Sequence, residues 1–173
     1  VRSGKAIYAG ISNYNAEETE KAVAILKDLG TPCIVHQAKY SLLERWVEEG
    51  LLDILDTKGM GCVAFSPLAQ GLLTTKYLKG IPENSRAANP NGHLQSSEIT
   101  EEKIKKINAL HAIALERGQT LAQMAIAWLL KKETITSVIV GASSVNQLLD
   151  NLGSLDKLAF SNQELQQIEN ILK

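Results

Sequence analysis

The strongest constraint on this chain is the alternation of short apolar segments with amphipathic ones. The apolar segments 6–12, 33–37, 62–65 and 137–141 have the length of strands, and helical spacing follows each of them along the chain. Short, almost wholly apolar strands that alternate with helices are typical of parallel sheets with both faces covered. The sequence therefore predicts an α/β fold made of four β/α units.

Helix boundaries are marked by a Ser or Asn three residues before a Glu or Gln, which is the spacing of a capping box. This spacing occurs at Asn15 and Glu18, Ser41 and Glu44, Ser144 and Gln147, and Ser161 and Glu164. From the second pair we expect one helix through residues 45–58. Two further helices are predicted at 100–117 and 120–132, after a long polar loop at 79–99.

Four such units fit either a doubly wound sheet or half of a (β/α)8 barrel. A half barrel leaves two open strand edges and a half-covered core. The chain also begins at Val1 rather than Met. We therefore expect residues 1–173 to be the C-terminal half of one larger barrel domain. A stand-alone half barrel that pairs with a second copy is the alternative.

Composition bears on several classes of partner. The 18 basic and 19 acidic side chains are balanced, and no basic run is interleaved with aromatics, which argues against nucleic acid. No apolar run approaches the roughly 20 residues that span a bilayer, so we expect a cytoplasmic protein with no membrane segment. Cys33 and Cys62 lie in strand segments and are interpreted as reduced core thiols, and the three histidines lack the spacing of metal ligands.

Polar side chains follow the first two predicted strands. Ser12 and Asn13 end the first strand, and Gln37 ends the second. Hydroxyl and amide groups that converge from adjacent strands are suited to bind a carboxamide, which offers one acceptor and two donors. The alternative is that these residues only cap the loops.

The third strand ends in an aromatic residue and a proline-containing turn. Phe65 offers a face on which a flat ring can stack, and the turn 66–70 offers backbone and hydroxyl donors. Lys76 and Arg86 add cations, the second from within the long loop. Together they suit a ring followed by a phosphate. Each also has a neutral interpretation, as a core residue or a solvated charge.

At the fourth strand end, Gly141 permits close backbone approach, and Ser143 and Ser144 lie where a helix begins. The free N–H groups and dipole of a helix start favour an anion. Gln147 alternatively caps its own helix. The segment 59–64 matches G-x-G-x-x-A, but it precedes a strand and so lacks the context of a Rossmann motif.

Taken together, these segments resemble the aldo-keto reductase family. The matching motifs run in that family's order and cover nearly all of the chain: "GISNY", "HQAKYSLL", "AFSPLAQGLLTTKY", "NSR", "GQTLAQMAIAWLL" and "VIVGASSVNQLLDN". The resemblance is strongest to the branch of potassium-channel β subunits and bacterial glyceraldehyde-phosphate reductases. It implies a (β/α)8 TIM barrel that binds NADPH (NADP+) in extended form at its C-terminal mouth.

The resemblance also implies a role for each motif residue. Ser12, Asn13 and Gln37 would hold the nicotinamide carboxamide, and Phe65 would stack on its ring. The pyrophosphate would be wrapped by Ser66, Pro67, Leu68, Ala69 and Gln70, with Lys76 and Arg86 as clamps. The 2′-phosphate would be received by Gly141, Ser143 and Gln147, and the adenine by Asp150 and Asn151.

The family's catalytic Asp, Tyr, Lys and His lie in the first half of its barrel, and no motif that carries them is found in this sequence. We therefore expect no catalytic residue here. The resemblance implies that the complete protein transfers a hydride from NADPH to an aldehyde or ketone. Ser143, Ser144 and Gln147 stand where many members place a cation, which weakens the preference for NADPH over NADH. A slowly reacting regulatory subunit is the alternative, and a homo-oligomer is compatible with either.

Overall fold

A computed structural model describes residues 1–83, 85–89, 91–92 and 94–173. Asn84 of the "NSR" motif, Pro90 and His93 lie outside the described residues. The strands are β1 (Ala9–Ser12), β2 (Cys33–Lys39), β3 (Gly61–Phe65) and β4 (Ile135–Ile139). The α-helices are α1 (Ala16–Asp28), α2 (Leu51–Lys58), α3 (Glu101–Glu116), α4 (Leu121–Leu130), α5 (Val145–Leu152) and α6 (Asn162–Leu172).

The four strands form one parallel sheet in the order β1-β2-β3-β4. A doubly wound sheet reverses direction where its two halves meet, whereas a barrel adds each strand beside the one before it. The observed order is that of the barrel. The α/β prediction is confirmed, and the choice between the two closures is settled in favour of a half barrel.

The two faces of the sheet differ in burial. Ala38, Cys62 and Ala64 point toward the helices and are fully buried, and α4 contributes Trp128 and Met124 to the same core. On the opposite, concave face, the Gln37 and Lys39 side chains near the carboxyl end of β2 are exposed. Both predicted core thiols are buried and free, and burial raises the pKa of Cys62 to about 11.

The helix predicted through residues 45–58 is wrong. Ser41 and Glu44 exchange two backbone hydrogen bonds in an isolated antiparallel bridge, so they form a turn and not a capping box. A single 3-10 turn follows at Trp46–Glu48, and α2 begins only at Leu51. Gly50 lies between them at φ +90°, a left-handed conformation that interrupts helical geometry.

Strand bounds also differ from the prediction: β2 extends to Lys39, β3 begins at Gly61, and the other two strands differ more. β1 begins at Ala9 and not at residue 6, because Ile7 and Tyr8 are exposed and unpaired with β2. β4 spans Ile135–Ile139 where 137–141 was predicted, so Gly141 lies in the loop before α5. The capping boxes of α1 and α6 are confirmed, and Thr120 caps α4 together with Gln123.

Arg117 ties the end of α3 to the start of α6. Its side chain is only 1% exposed, and its guanidinium donates to Glu164 at 2.7 Å. The guanidinium also donates to Gln119 at 2.9 Å and to the carbonyl of Ala159 at 3.0 Å. It stacks on the Phe160 ring at 3.7 Å. A buried charge with this many partners fixes the position of α6.

No helix in the described ranges has the length and apolar character needed to cross a membrane.

Candidate functional site

The sheet register places two predicted site residues side by side. Ser12 pairs with Gln37, and Gln37 pairs in turn with Val63. Two residues further along, Lys39 pairs with Phe65, so Phe65 lies in the next layer of the same face. Because parallel strands end together, this layer is at the carboxyl edge of the sheet, where α/β sites form. The structure thus brings Ser12, Gln37 and Phe65 onto one concave surface.

Ser12 and Gln37 are both exposed on that surface. Within the described part of the chain, neither side chain makes a hydrogen bond. Each is therefore free to bind a ligand without breaking an internal bond. A hydroxyl beside a carboxamide provides donors and acceptors in one row.

Asn13 has a different local role. Its backbone adopts φ 58°, its N–H donates to the Gln37 carbonyl at 3.0 Å, and its Oδ1 accepts from the Lys39 N–H at 3.3 Å. The side chain therefore extends the pairing of β1 with β2 beyond the strand end. Its amide oxygen is committed to this bond, and its NH2 group remains the part that can reach a ligand.

His36 lies beneath this strand end. The ring is fully buried, and its Nε2 donates to the Tyr14 carbonyl at 3.1 Å. Burial lowers the pKa of His36, and the hydrogen bond to Tyr14 offsets only part of that effect. The imidazole is thus neutral and holds the loop after β1 in place. The sequence predicts no ligand role for His36, and the structure gives it a supporting one.

Phe65 borders an open groove of 400 Å³ at the mouth of the sheet. Lys39 and Trp46 border the same groove; the Trp46 indole N–H donates to the Lys39 carbonyl at 3.0 Å. The Lys39 ammonium pairs with Glu44 at 3.2 Å. Sequence reasoning missed Lys39 and Trp46. Trp46 was placed inside a helix, and the alternation along β2 was the one signal that placed Lys39 on the same face as Gln37.

The turn after Phe65 has an unusual backbone. Ser66, Ala69 and Gln70 have φ values of 55°, 45° and 59°, in a region that non-glycine residues rarely adopt. Hydrogen bonds within the turn stabilise it, from Ala69 N–H to the Ser66 carbonyl at 2.9 Å and from Gly71 N–H to the Leu68 carbonyl at 2.8 Å. Residues held in such conformations cluster at ligand sites. The buried Pro67 fixes the turn from below.

Lys76 and Arg86 lie further along, each in a short 3-10 turn, and both side chains are exposed. Neither forms an ion pair with any residue that the structure describes. Neither lines the groove beside Phe65 or the cavity beside α5, so the structure does not bring them into contact with the other candidates. They remain two solvated cations on the loop that follows β3.

A cavity of 530 Å³ lies between the loop after β3 and helices α3, α4 and α5. Four predicted residues line it: Leu68, Gln147, Asp150 and Asn151. The cavity thus borders both the turn predicted to bind the pyrophosphate and the residues predicted to bind the adenine. Its volume is within the range of small-molecule sites.

Asn151 is the polar residue most buried in this cavity, at 4% exposure. Its Nδ2 is buried without a hydrogen-bond partner among the described residues. Asp150, by contrast, accepts from Gln123 at 3.1 Å and from Thr120 at 3.3 Å. An unpaired buried amide is costly, and a ligand acceptor would satisfy it.

The start of α5 has a well-defined hydrogen-bond pattern. Ser144 caps the helix by accepting from the Gln147 N–H at 3.2 Å. The Gln147 Oε1 accepts from the N–H and the Oγ of Ser143 at 2.8 and 3.0 Å, and not from Ser144 as a capping box requires. The Gln147 NH2 group then faces away from Ser143. Gly141 has open space where a Cβ would stand.

Comparisons with known proteins agree with one another. The family model described as "Aldo/keto reductase family" matches residues 1–173. The L-glyceraldehyde 3-phosphate reductases of Escherichia coli O157:H7 and strain K12 are 50% and 49% identical, each over 98% of this chain and 50% of its own length. A probable voltage-gated potassium channel subunit beta of Oryza sativa subsp. japonica is 42% identical, over 88% of this chain and 48% of its own.

A similar solved structure is a thermostable aldo-keto reductase in complex with the inhibitor epalrestat. It superposes with a TM-score of 0.72 at 26% identity, over 99% of this chain and 50% of that protein. The chain spans about half the length of the curated relatives it matches. The fold is therefore half of a (β/α)8 barrel.

Proposed function

This chain belongs to the aldo/keto reductase family, and on that premise we propose that it supplies the cofactor-binding half of an NADPH-dependent reductase of aldehydes or ketones. In this proposal residues 1–173 are the C-terminal half of a single barrel domain. The remaining half carries the group that donates the proton to the carbonyl oxygen.

The observation that carries the proposal is the row formed by Ser12 and Gln37, with Phe65 one layer above it. Ser12 and Gln37 would bind the carboxamide, and Phe65, one layer nearer the carboxyl edge, would stack on the ring. The Asn13 NH2 group is available as a third contact because only its oxygen is used by Lys39. Positioning of this kind determines which ring face meets the substrate.

We assign the phosphates to the turn of residues 66–70 and to the cationic side chains of Lys76 and Arg86. The turn of residues 66–70 exposes backbone in the left-handed region, a geometry that lets neighbouring N–H groups converge on an anion. Lys76 and Arg86 have no internal counterion in the described structure. Both are therefore free to close over a phosphate from the loop side.

The adenosine end is assigned to the cavity beside α5. The unpaired Nδ2 of Asn151 can donate a hydrogen bond to a ring nitrogen of adenine, so this residue fits the proposed cofactor. Ser143 is already bonded to Gln147 through both its N–H and its hydroxyl. A 2′-phosphate would therefore be bound by the first free N–H groups of α5, at Val145 and Asn146, and by the Gln147 NH2 group, and the Ser143 hydroxyl would join them only by leaving Gln147.

When bound, NADPH supplies the hydride that reduces the carbonyl carbon. The residues of this chain bind and orient it, and the neutral His36 keeps the loop of Asn13 in position. The likeness to L-glyceraldehyde 3-phosphate reductases suggests small aldehydes, including phosphorylated trioses, as the substrate class.

The test uses the full-length protein that contains this chain, titrated with NADPH by fluorescence. Phe65→Ala and Gln37→Ala are expected to raise the Kd, the first by roughly 5- to 150-fold because a stacked ring contributes about 1–3 kcal/mol. Ser137→Ala is the matched control, because Ser137 pairs with Val63 on the same sheet but has no assigned contact. An unchanged Kd in both variants would falsify the cofactor assignment.

A regulatory subunit is the second candidate, favoured by the 42% identity to the potassium channel subunit. Both candidates bind NADPH, so binding alone does not separate them. Steady-state reduction of a panel of small aldehydes does. Sustained turnover supports the reductase, and tight NADPH binding with negligible turnover supports the regulatory subunit.

A further inference from the structure

His111 lines the same cavity as Asn151. It lies in the third turn of α3, whereas Asn151 lies near the end of α5. His111 is half-buried, and its Nδ1 is buried without a hydrogen-bond partner among the described residues. Neither the motifs nor the family resemblance assigns it a role.

Two other polar side chains that line this cavity, Gln119 and Gln123, have hydrogen-bond partners within the protein. Gln119 accepts from Arg117 at 2.9 Å and donates to the Lys157 carbonyl at 3.2 Å. Gln123 donates to Asp150 at 3.1 Å, and its Oε1 accepts from the Thr120 N–H at 2.9 Å. Unpaired buried polar atoms are uncommon in folded proteins, because each one costs the desolvation of a donor or acceptor.

His111 Nδ1 and Asn151 Nδ2 are the two buried side-chain atoms of this cavity that the described structure leaves without a partner. The Asn151 amide is a donor, and a neutral imidazole nitrogen can accept. A ligand that meets both must present one acceptor and one donor. The amino edge of adenine has this pattern, with an exocyclic NH2 next to a ring nitrogen.

We propose that His111 is a base-contacting residue of the cofactor site, whose Nδ1 accepts a hydrogen bond from the adenine amino group while Asn151 donates to the ring. This inference rests on the proposed function and adds base specificity to it. The 530 Å³ cavity accommodates the ring between α3 and α5, with Leu68 and Leu115 on its walls.

The experiment measures three ligands on the full-length protein: NADPH, its reduced hypoxanthine analogue, and reduced nicotinamide mononucleotide. The analogue replaces the amino group by a carbonyl and puts a proton on N1 but leaves N7 unchanged, so it removes one hydrogen bond if Asn151 donates to N7. The mononucleotide lacks the whole adenosine portion. The wild-type protein is expected to bind NADPH roughly 3- to 10-fold more tightly than the analogue, the effect of one buried hydrogen bond.

His111→Ala is expected to weaken NADPH binding by the same factor and to leave the other two ligands unchanged. His111→Gln, which keeps an acceptor, is expected to restore the preference for NADPH. Asn108→Ala is the control, since Asn108 is an exposed polar residue on the same helix that bonds the Ile104 carbonyl and does not line the cavity. The midpoint of thermal unfolding is recorded for each variant.

Equal binding of NADPH and the hypoxanthine analogue by the wild-type protein overturns the inference and requires no variant. It is overturned as well if His111→Ala weakens all three ligands equally, which is the result of a purely structural role. In both cases NADPH binding itself persists and the proposed function stands. A wild-type protein that does not bind NADPH overturns both.

Discussion

Glu164 provides the most direct test of how this half barrel is held together. Its Oε1 accepts from the buried Arg117 guanidinium at 2.7 Å, and its Oε2 accepts from the Ser161 N–H at 2.6 Å. Glutamine has only one oxygen, so Glu164→Gln removes the charge and one of these two bonds. Glu164→Ala removes both bonds and leaves Arg117 charged and buried.

The expected magnitudes follow from the burial of the pair. The Arg117 side chain is 1% exposed and that of Glu164 is 24% exposed, so solvent screens the pair poorly. Loss of a charged hydrogen bond costs about 1.5–3 kcal/mol, which we expect for Glu164→Gln. Glu164→Ala removes both bonds and is expected to cost more than Glu164→Gln, but less than the loss of an uncompensated buried charge, because Arg117 keeps Gln119 and the Ala159 carbonyl as partners.

The assay is thermal and urea unfolding at pH 7, repeated in 1 M NaCl and across pH. At about 2–4 °C per kcal/mol, Glu164→Gln is expected to lower the Tm by about 3–12 °C. Burial raises the pKa of Glu164, but the hydrogen bonds from Ser161 and Arg117 outweigh it and hold that pKa below 4.5. The stabilisation is therefore full above pH 4.5 and lost as the pH falls through the lower, folded-state pKa.

Glu17→Gln is the matched control because Glu17 pairs with Lys21 on the surface of α1, where the two side chains are 77% and 70% exposed. Its cost is expected to stay below about 1 kcal/mol and to disappear in 1 M NaCl. A stabilising role of the buried pair is refuted if Glu164→Gln and Glu17→Gln shift the unfolding midpoint equally, or if the effect of Glu164→Gln vanishes in salt.

Two further predictions concern the loop before α5 and the end of α4. Gly141→Ala is expected to leave the Tm unchanged, because nothing lies within 4 Å of the added Cβ. It is expected to weaken NADPH binding if the cofactor approaches this backbone. Both the Tm and the Kd are measured, and an unchanged Kd removes Gly141 from the site. Burial lowers the pKa of Lys131 to about 8, with a contribution from the nearby charge of Lys132, and the ammonium lies 4.4 Å from the Trp128 ring centre. NMR spectra of the protein with isotope-labelled dimethyl-lysines should then show a titration near pH 8 that is absent in Lys131→Met. A midpoint near the ordinary value of 10.5 would contradict the lowered pKa.

Much of the fold could be predicted because the relevant signals are local. The capping box at Asn15 and the glycine stop at Gly30 depend on neighbouring residues alone, and both are observed in the structure. The error at residues 45–58 has the same origin. Ser41 and Glu44 have the spacing of a box, but Gly50 at φ +90° and the bridge between the two residues prevent a continuous helix.

The candidate site was harder to predict in full, because its parts meet only in space. Gln37 and Phe65 were singled out because each follows an apolar run. His111 and Trp46 carry no comparable signal, since one lies within a helix and the other in a turn mistaken for a helix. Their relevance comes from what they face: a cavity shared with Asn151, and a groove shared with Phe65.

The sequence by itself determined the parallel β/α character of this chain, its helix caps and the polar residues that end each strand, because hydrophobic period and capping act over a few residues. Only the tertiary structure decided the strand order, the pairing of Ser12 with Gln37, and which buried polar atoms remain without partners. These depend on contacts between residues that are distant in the chain. The proposed contact of His111 with the adenine base therefore depends on the packing of α3 against the cavity, and no local sequence pattern predicts it.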